Sequence, residues 1–119
     1  MIRTLLKSKL HCASVTSADV NYEGSISIDT DLMQAADLIP YERVDVYDIT
    51  NGKRFSTYVI KGTVGEVGLN GAAARLVQSG DRIIVASYAN YNKEEWTQHK
   101  PIKLLLNEQN SIIKRMTDD

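Results

Sequence analysis

The sequence predicts a mainly β domain, a small barrel with a few short helices. Several short segments alternate apolar and polar residues or are continuously apolar over the length of a strand. Asn51-Gly52 lies between two such segments and is a strong hairpin signal, because both residue types tolerate a positive φ. Gly62, Gly65, Gly68 and Gly71 then interrupt the chain at short intervals. Many short strands separated by turn signals are typical of a small barrel.

The first predicted strand covers residues 2–15, where apolar and polar positions alternate. Because successive side chains of a regular strand point to opposite faces, Lys9 and His11 are expected on one face and Cys12 on the other. A catalytic Cys–His pair is therefore not expected, and Cys12 is interpreted as a small packing residue. On the same reasoning, three more residues share the face of Lys9 and His11, namely Arg3, Leu5 and Lys7.

The remaining predicted elements are short. Asp29 or Thr30 is expected to cap a helix through residues 32–36, a region that Pro40 ends. A second helix is expected over residues 72–78, stopped by Gly80. The polar tail after Asn107 is expected to be loosely held. Further strands are predicted at residues 27–29, 43–49, 55–60, 81–88 and 102–106, and a third helix at residues 93–98.

Composition limits the classes of function. The chain has 119 residues, which fits one domain over residues 1–119, with 43% hydrophobic residues. Fourteen Lys and Arg oppose fifteen Asp and Glu, a formal net charge of −1. That balance argues against a nucleic-acid partner held by excess cations and against a polybasic membrane anchor. No metal site, disulfide framework, transmembrane helix or signal peptide is indicated, so a cytoplasmic location is the default expectation.

The segment around Gly24-Ser25 carries the most information, although a glycine–serine pair alone is a common loop dipeptide. Its meaning comes from three other motifs of the chain, in their order and spacing. Together the four motifs closely resemble the pyruvoyl-dependent aspartate 1-decarboxylases, from residue 1 to about residue 88. These motifs are Lys9-Leu10-His11, Tyr22-Glu23-Gly24-Ser25, Asn51-Gly52-Lys53-Arg54-Phe55-Ser56-Thr57-Tyr58 and Asn70-Gly71-Ala72-Ala73-Ala74.

The resemblance implies a double-psi β-barrel, assembled as a homotetramer with active sites between subunits. It implies a proenzyme that cuts itself between Gly24 and Ser25 into a β chain, residues 1–24, and an α chain, residues 25–119. Ser25 would become a covalently bound pyruvoyl cofactor. The implied reaction is that of a carbon–carbon lyase, converting L-aspartate to β-alanine and CO2 for pantothenate and coenzyme A biosynthesis. Some members of the family use an accessory maturation protein.

The Gly24-Ser25 pair suits this chemistry on physical grounds. Gly24 has no Cβ, so its backbone tolerates strained dihedral angles and its carbonyl is open to attack. The Ser25 hydroxyl can add to that carbonyl, and the resulting ester can eliminate to a dehydroalanine that hydrolyses to pyruvoyl and ammonia. A Schiff base between the pyruvoyl ketone and the substrate amine would serve as the electron sink that ordinary side chains do not supply.

Charged and phenolic side chains are candidates for handling substrate. Tyr58 is predicted to be the proton donor, since a phenol with a pKa of ~10 remains protonated at neutral pH. Arg54 is predicted to hold the retained side-chain carboxylate of aspartate through two parallel hydrogen bonds. Lys9 would add positive potential for a dianionic substrate, with His11 in a supporting role. Each of these four residues also has a structural interpretation. In the same order, these are a tyrosine of the barrel with a satisfied hydroxyl, a solvated arginine, a surface lysine and a hydrogen-bonded structural histidine.

The resemblance assigns substrate contacts to Thr57, Gly71, Ala72 and Ala73, and supporting positions near the cofactor to Asn70 and Tyr22. Thr57 also matches the family's self-processing threonine. Thr57 and Tyr58 are neighbours that face opposite sides of a regular strand. Both can serve one site only through a bulge, a strand end, a backbone contact or a site between subunits.

Two other hypotheses belong to different classes. A small β-barrel can be a non-catalytic binding module that is never processed, since a fold alone does not imply a function. A barrel that hydrolyses an ester with Ser25 as an ordinary nucleophile is the third hypothesis. It ranks last because no Ser/His/Asp order supports a triad.

Overall fold

The computed structural model describes residues 1–117, which form nine strands and three short helices. The three helices each span six residues, and the middle one, Gly71–Leu76, is a 3₁₀ helix. In chain order the elements are β1 (Arg3–Ser14), β2 (Ser17–Asp19), β3 (Ile26–Asp29), α1 (Thr30–Ala35), β4 (Arg43–Asp48), β5 (Arg54–Gly62), β6 (Val67–Asn70), the 3₁₀ helix, β7 (Arg82–Tyr91), α2 (Lys93–Gln98), β8 (Ile102–Leu106) and β9 (Ile112–Met116).

Strands β1 to β7 close into a barrel, in which β1 and its continuation β2 occupy one of six positions. The hydrogen-bonded order is β2-β6-β3-β5-β4-β7-β1-β8-β9. The order returns to its start at β1, because β1 continues into β2 after only Val15 and Thr16. At this junction Val15 donates its N–H to the Asp81 carbonyl and Thr16 to the Val67 carbonyl, both at 2.9 Å. The prediction of a mainly β fold, a small barrel with a few short helices, is confirmed.

Aliphatic side chains fill the interior of this barrel. Alternate residues of most strands point inward, as a sheet with one face on the core requires. Burying them supplies the main driving force for folding, at roughly 25 cal/mol per Å2 of apolar surface. The largest fully buried side chains are Leu10, Ile26, Ile28, Leu69, Ile83 and Leu106, with Val44, Val46, Val59, Val67 and Val85 between them.

Strand β1 is less regular than its alternation predicts. Its pairing with β7 shifts register between Leu6 and Ser8 and again between Leu10 and Ala13, where Cys12 takes a φ of 64°. The expectation of one shared face from Arg3 to His11 is therefore wrong. Between the two shifts, residues 8–11 pair in unbroken register with β8, so Lys9 and His11 do share a face.

Local signals place most elements correctly. Gly52 has a φ of 79° and donates its N–H to the Asp48 carbonyl at 2.8 Å, in the turn that joins β4 to β5. Asp29 caps α1 by accepting from the Asp31 N–H at 2.8 Å. Helix α2 and strand β8 have the predicted bounds. The helix expected over residues 72–78 is instead the tighter 3₁₀ helix and begins one residue earlier.

The prediction for the tail after Asn107 is wrong for most of its length. Strand β9 pairs antiparallel with β8. Asn110 is 3% exposed, and its amide donates to the carbonyls of Ser14 and Gly65 at 3.0 Å while accepting from the Ser14 N–H at 2.7 Å. A buried amide with three partners ties the segment to the barrel. Residues 118 and 119 of that tail lie outside the described residues.

Within residues 1–117, no helix is long and apolar enough to cross a membrane. The same part of the chain brings no three His, Cys, Asp or Glu side chains together in an arrangement that could hold a metal ion.

Candidate active site

An open cleft of about 670 Å3 contains the Gly24-Ser25 peptide. Three parts of the chain form it: the loop from β2 to β3, the first half of β5, and the start of the 3₁₀ helix with the residue before it. Nine of the twelve predicted site residues line this cleft, namely Tyr22, Gly24, Ser25, Thr57, Tyr58, Asn70, Gly71, Ala72 and Ala73.

Gly24 has a backbone conformation that other residues rarely adopt. Its φ is 97°, in the region that favours glycine. An added Cβ would lie 2.8 Å from Cδ1 of Ile60, so the side chain of β5 would have to move as well. This position before Ser25 therefore requires glycine, because any larger residue would be strained there.

Asn70 holds the backbone of Ser25 in place. Strands β3 and β6 are antiparallel, and the Asn70 N–H donates to the Ser25 carbonyl at 2.8 Å just beyond their last paired residues. Asn70 is 5% exposed, and its side-chain amide donates to the Ser27 hydroxyl at 3.0 Å. Ser25 is half-buried and lines the cleft.

Thr57 and Tyr58 both line the cleft although they are neighbours on β5. The reason is a strand end: β3 begins to pair with β5 only at Ile26 and Val59, one residue after Tyr58. The edge of β5 before that point is open to the cleft, which lets side chains of both orientations reach it. Thr57 is half-buried and Tyr58 is 40% exposed.

The first turn of the 3₁₀ helix presents backbone to the cleft. Gly71 has a φ of 60°, and a Cβ there would lie 3.7 Å from the Tyr22 carbonyl oxygen. The Asn70 side chain does not cap this helix. The first backbone N–H groups of the helix are therefore not capped by Asn70, and successive N–H groups of this kind can receive a carboxylate.

Arg54 does not line the cleft of its own chain. Its guanidinium carbon lies 4.1 Å from the centroid of the Tyr47 ring, a cation–π contact across the β4–β5 pair. The Tyr47 hydroxyl lies 2.9 Å from the Tyr88 hydroxyl. This hydrogen bond, together with burial, raises the pKa of Tyr88 to about 12. The guanidinium thus belongs to an aromatic cluster on the outer face of β4, β5 and β7.

Lys9 and His11 also lie outside this cleft, on β1. Burial lowers the pKa of His11, and the nearby charge of Lys9 lowers it further. The His11 Nδ1 atom is buried without a hydrogen-bond partner among the described residues. The two side chains are close neighbours, as their spacing predicts, but they are not brought to Ser25 within one chain.

Six cleft residues were not singled out from the sequence. Three of them lie inside the motifs quoted above without having been given a role, and the other three lie within two positions of a motif, so extending each motif by two residues finds them. Glu23 is the one charged member of the described lining. The six are Val20, Asn21, Glu23, Phe55, Ser56 and Leu76.

These features define a small β-barrel protein that presents a glycine–serine peptide, with the glycine at a positive φ, in a cleft lined by hydroxyl, amide and backbone N–H groups. The family model for aspartate decarboxylase matches residues 1–113. The chain belongs to the aspartate decarboxylase family. The resemblance noted from its motifs is thereby confirmed.

Relatives that match over most of their length agree with this assignment. The aspartate 1-decarboxylase of Bdellovibrio bacteriovorus is 50% identical over 98% of this chain and 94% of its own length. That of Maricaulis maris is 54% identical over 94% of both chains, and that of a Hydrogenobaculum species is 49% identical over 99% of this chain and 94% of its own. Similarity along nearly the whole length favours the decarboxylase hypothesis over a non-catalytic binding module.

Proposed function

We propose that this protein is a self-processing aspartate 1-decarboxylase that converts L-aspartate to β-alanine and CO2. The observation that carries the proposal is the Gly24-Ser25 peptide, held at a φ of 97° inside the cleft that Thr57, Tyr58 and Asn70 also line. Family membership supports the reaction, and the cleft supplies side chains suited to it.

Self-processing would begin at the Gly24 carbonyl. The Ser25 Oγ attacks the carbonyl carbon, the C–N bond breaks, and the Ser25 nitrogen takes up the proton that the hydroxyl loses, which leaves an ester. Loss of the Ser25 α-proton expels the Gly24 carboxylate and leaves dehydroalanine. Water then replaces the nitrogen, ammonia departs, and residues 1–24 and 25–119 become separate chains. Thr57, in the same cleft, is suited to donate a hydrogen bond to the Gly24 carbonyl as charge develops there.

The residues around Ser25 fit a pyruvoyl group at that position. Asn70 anchors the Ser25 carbonyl through its backbone N–H, an interaction that the conversion of the Ser25 side chain leaves intact. When bound, the pyruvoyl ketone supplies an electron sink for the charge left by departing CO2. Tyr58 then provides the proton that the reacting carbon needs, because its phenol lines the same cleft.

Recognition of a substrate with two carboxylate groups requires positive charge, which the described residues of the cleft do not supply. The described lining contains no Lys or Arg and includes the carboxylate of Glu23. We therefore propose that Arg54 and Lys9 reach the site from a neighbouring subunit, in a homotetramer, and that Ala72 and Ala73 bind carboxylate through their backbone N–H groups. Arg54 is exposed on the outer face of the barrel, where it is accessible to a second subunit. An accessory maturation protein is a further candidate partner.

Incubation of purified, processed protein with L-aspartate tests the function directly. We expect equimolar β-alanine and CO2, and little turnover of L-asparagine, which lacks the side-chain carboxylate. Absence of β-alanine from protein that carries the carbonyl group would contradict the proposal.

Gly24→Ala should block self-cleavage and destabilise the fold by roughly 1–3 kcal/mol, because it places a side chain at a positive φ. Gly52→Ala is the matched control. Gly52 has a φ of 79° but open space around its Cβ position, and it lies in a turn outside the cleft. We expect both variants to lower the midpoint of thermal unfolding and only Gly24→Ala to remain uncleaved in mass spectra. Normal cleavage of Gly24→Ala would contradict the role given to this peptide.

Arg54→Ala should raise the KM for L-aspartate about 10- to 100-fold, the equivalent of one or two lost charge-assisted hydrogen bonds. Self-cleavage should continue, since Arg54 lies outside the cleft of its own chain. Arg115→Ala, at an exposed arginine of β9, is the control. A steady-state assay that gives an unchanged KM for Arg54→Ala would contradict the assignment.

A further inference from the structure

Ser27 stands behind the cleft rather than in its lining. Strand β3 sends Ile26 and Ile28 into the core, so Ser25 and Ser27 share the opposite face of the strand. Ser27 is 5% exposed, and its hydroxyl accepts a hydrogen bond from the Asn70 amide nitrogen at 3.0 Å. This hydrogen bond joins two polar side chains that are both shielded from solvent.

The hydrogen bond adds a second tie to a residue already fixed beside Ser25. The Asn70 N–H donates to the Ser25 carbonyl at 2.8 Å, so the backbone of Asn70 is anchored. The side-chain amide of an asparagine otherwise rotates in a broad torsional well. Donation from the amide nitrogen to Ser27 restricts that rotation, so the side chain of Asn70 is tied to β3 as well as its backbone.

We propose that Ser27 is a positioning residue for self-processing: its hydroxyl holds the Asn70 side chain against β3, and Asn70 in turn holds the Ser25 carbonyl. The backbone that carries the Ser25 hydroxyl is thereby kept in place for attack on the Gly24 carbonyl. The inference rests on the proposed self-processing function.

The test compares Ser27→Ala with Ser27→Thr, which keeps the hydroxyl, and with Ser8→Ala as control. Ser8 is also buried, at 1% exposed, but its hydroxyl has no hydrogen-bond partner in the described structure. The measurements are the rate of self-cleavage by intact mass, the midpoint of thermal unfolding, and kcat and KM of the cleaved fraction.

Ser27→Ala should cleave about tenfold more slowly than the unchanged protein, the rate equivalent of one hydrogen bond. Its unfolding midpoint should stay close to that of Ser8→Ala, and Ser27→Thr should restore the rate. Cleavage of Ser27→Ala at the normal rate would overturn the inference and leave the proposed function intact. A slow rate that follows a fall in stability and that threonine does not rescue would also overturn it. Failure of the unchanged protein to cleave would instead count against the proposed function itself, and the inference would fall with it.

Discussion

Ser25→Ala should leave the protein as a single uncleaved chain and reduce β-alanine formation to the background level. Alanine has no hydroxyl to attack the Gly24 carbonyl, so neither the ester nor any later product can form. The side chain lost is small and only half-buried, and the backbone hydrogen bond from Asn70 to the Ser25 carbonyl remains. We therefore expect the variant to fold and to unfold at nearly the normal temperature.

Intact-mass spectrometry and an assay with L-aspartate check both parts of this result. Ser79→Ala, at an exposed serine between the 3₁₀ helix and β7, is the control and should be cleaved normally. Cleavage of Ser25→Ala after Gly24, or turnover by an uncleaved Ser25→Ala chain, would show that another group performs the chemistry.

Tyr58→Phe should still cut itself but lose about 10²- to 10⁴-fold in kcat, the usual contribution of a general acid. Phenylalanine keeps the ring, which packs 6.2 Å from the ring of Tyr41, and removes only the hydroxyl that lines the cleft. Because the role assigned to the phenol is proton donation after CO2 departs, the KM should change little.

Tyr41→Phe is the matched control for this substitution. Tyr41 is 77% exposed and preserves the same ring contact from the other side, yet it does not line the cleft. Steady-state kinetics on the cleaved proteins should separate the two hydroxyls. A kcat for Tyr58→Phe within twofold of that for Tyr41→Phe would contradict the assignment of Tyr58 as proton donor.

Elements with local signals were predictable from the sequence. Asn51-Gly52 specifies its turn through the φ of Gly52, and α2 begins where Asn92 and Glu95 form a reciprocal cap. Closure of the barrel was not predictable in detail, because the pairings of β2 with β6 and of β3 with β5 join distant segments. The tail was mistaken for a loose end because Asn110 is polar, and its three partners become visible only in the fold.

The candidate site also contains residues that were predictable from the sequence and residues whose positions were not. Gly24, Ser25, Thr57 and Tyr58 belong to contiguous motifs, and the fold brings these motifs to one cleft. Arg54 comes from the same segment as Tyr58, but its side chain stacks on Tyr47 outside that cleft. Proximity in sequence therefore predicted the residues that surround the Gly24-Ser25 peptide, whereas the positions of Arg54 and Lys9 outside the cleft became visible only in the fold.

The mass of freshly purified protein shows whether the chain has cut itself and formed a pyruvoyl group. We expect two chains, residues 1–24 and 25–119, with the larger one lighter by one ammonia than simple hydrolysis would leave it and reactive toward a carbonyl reagent. A single unmodified chain of 13.3 kDa that persists after warming and after incubation with an extract of the organism's own cells would contradict this expectation.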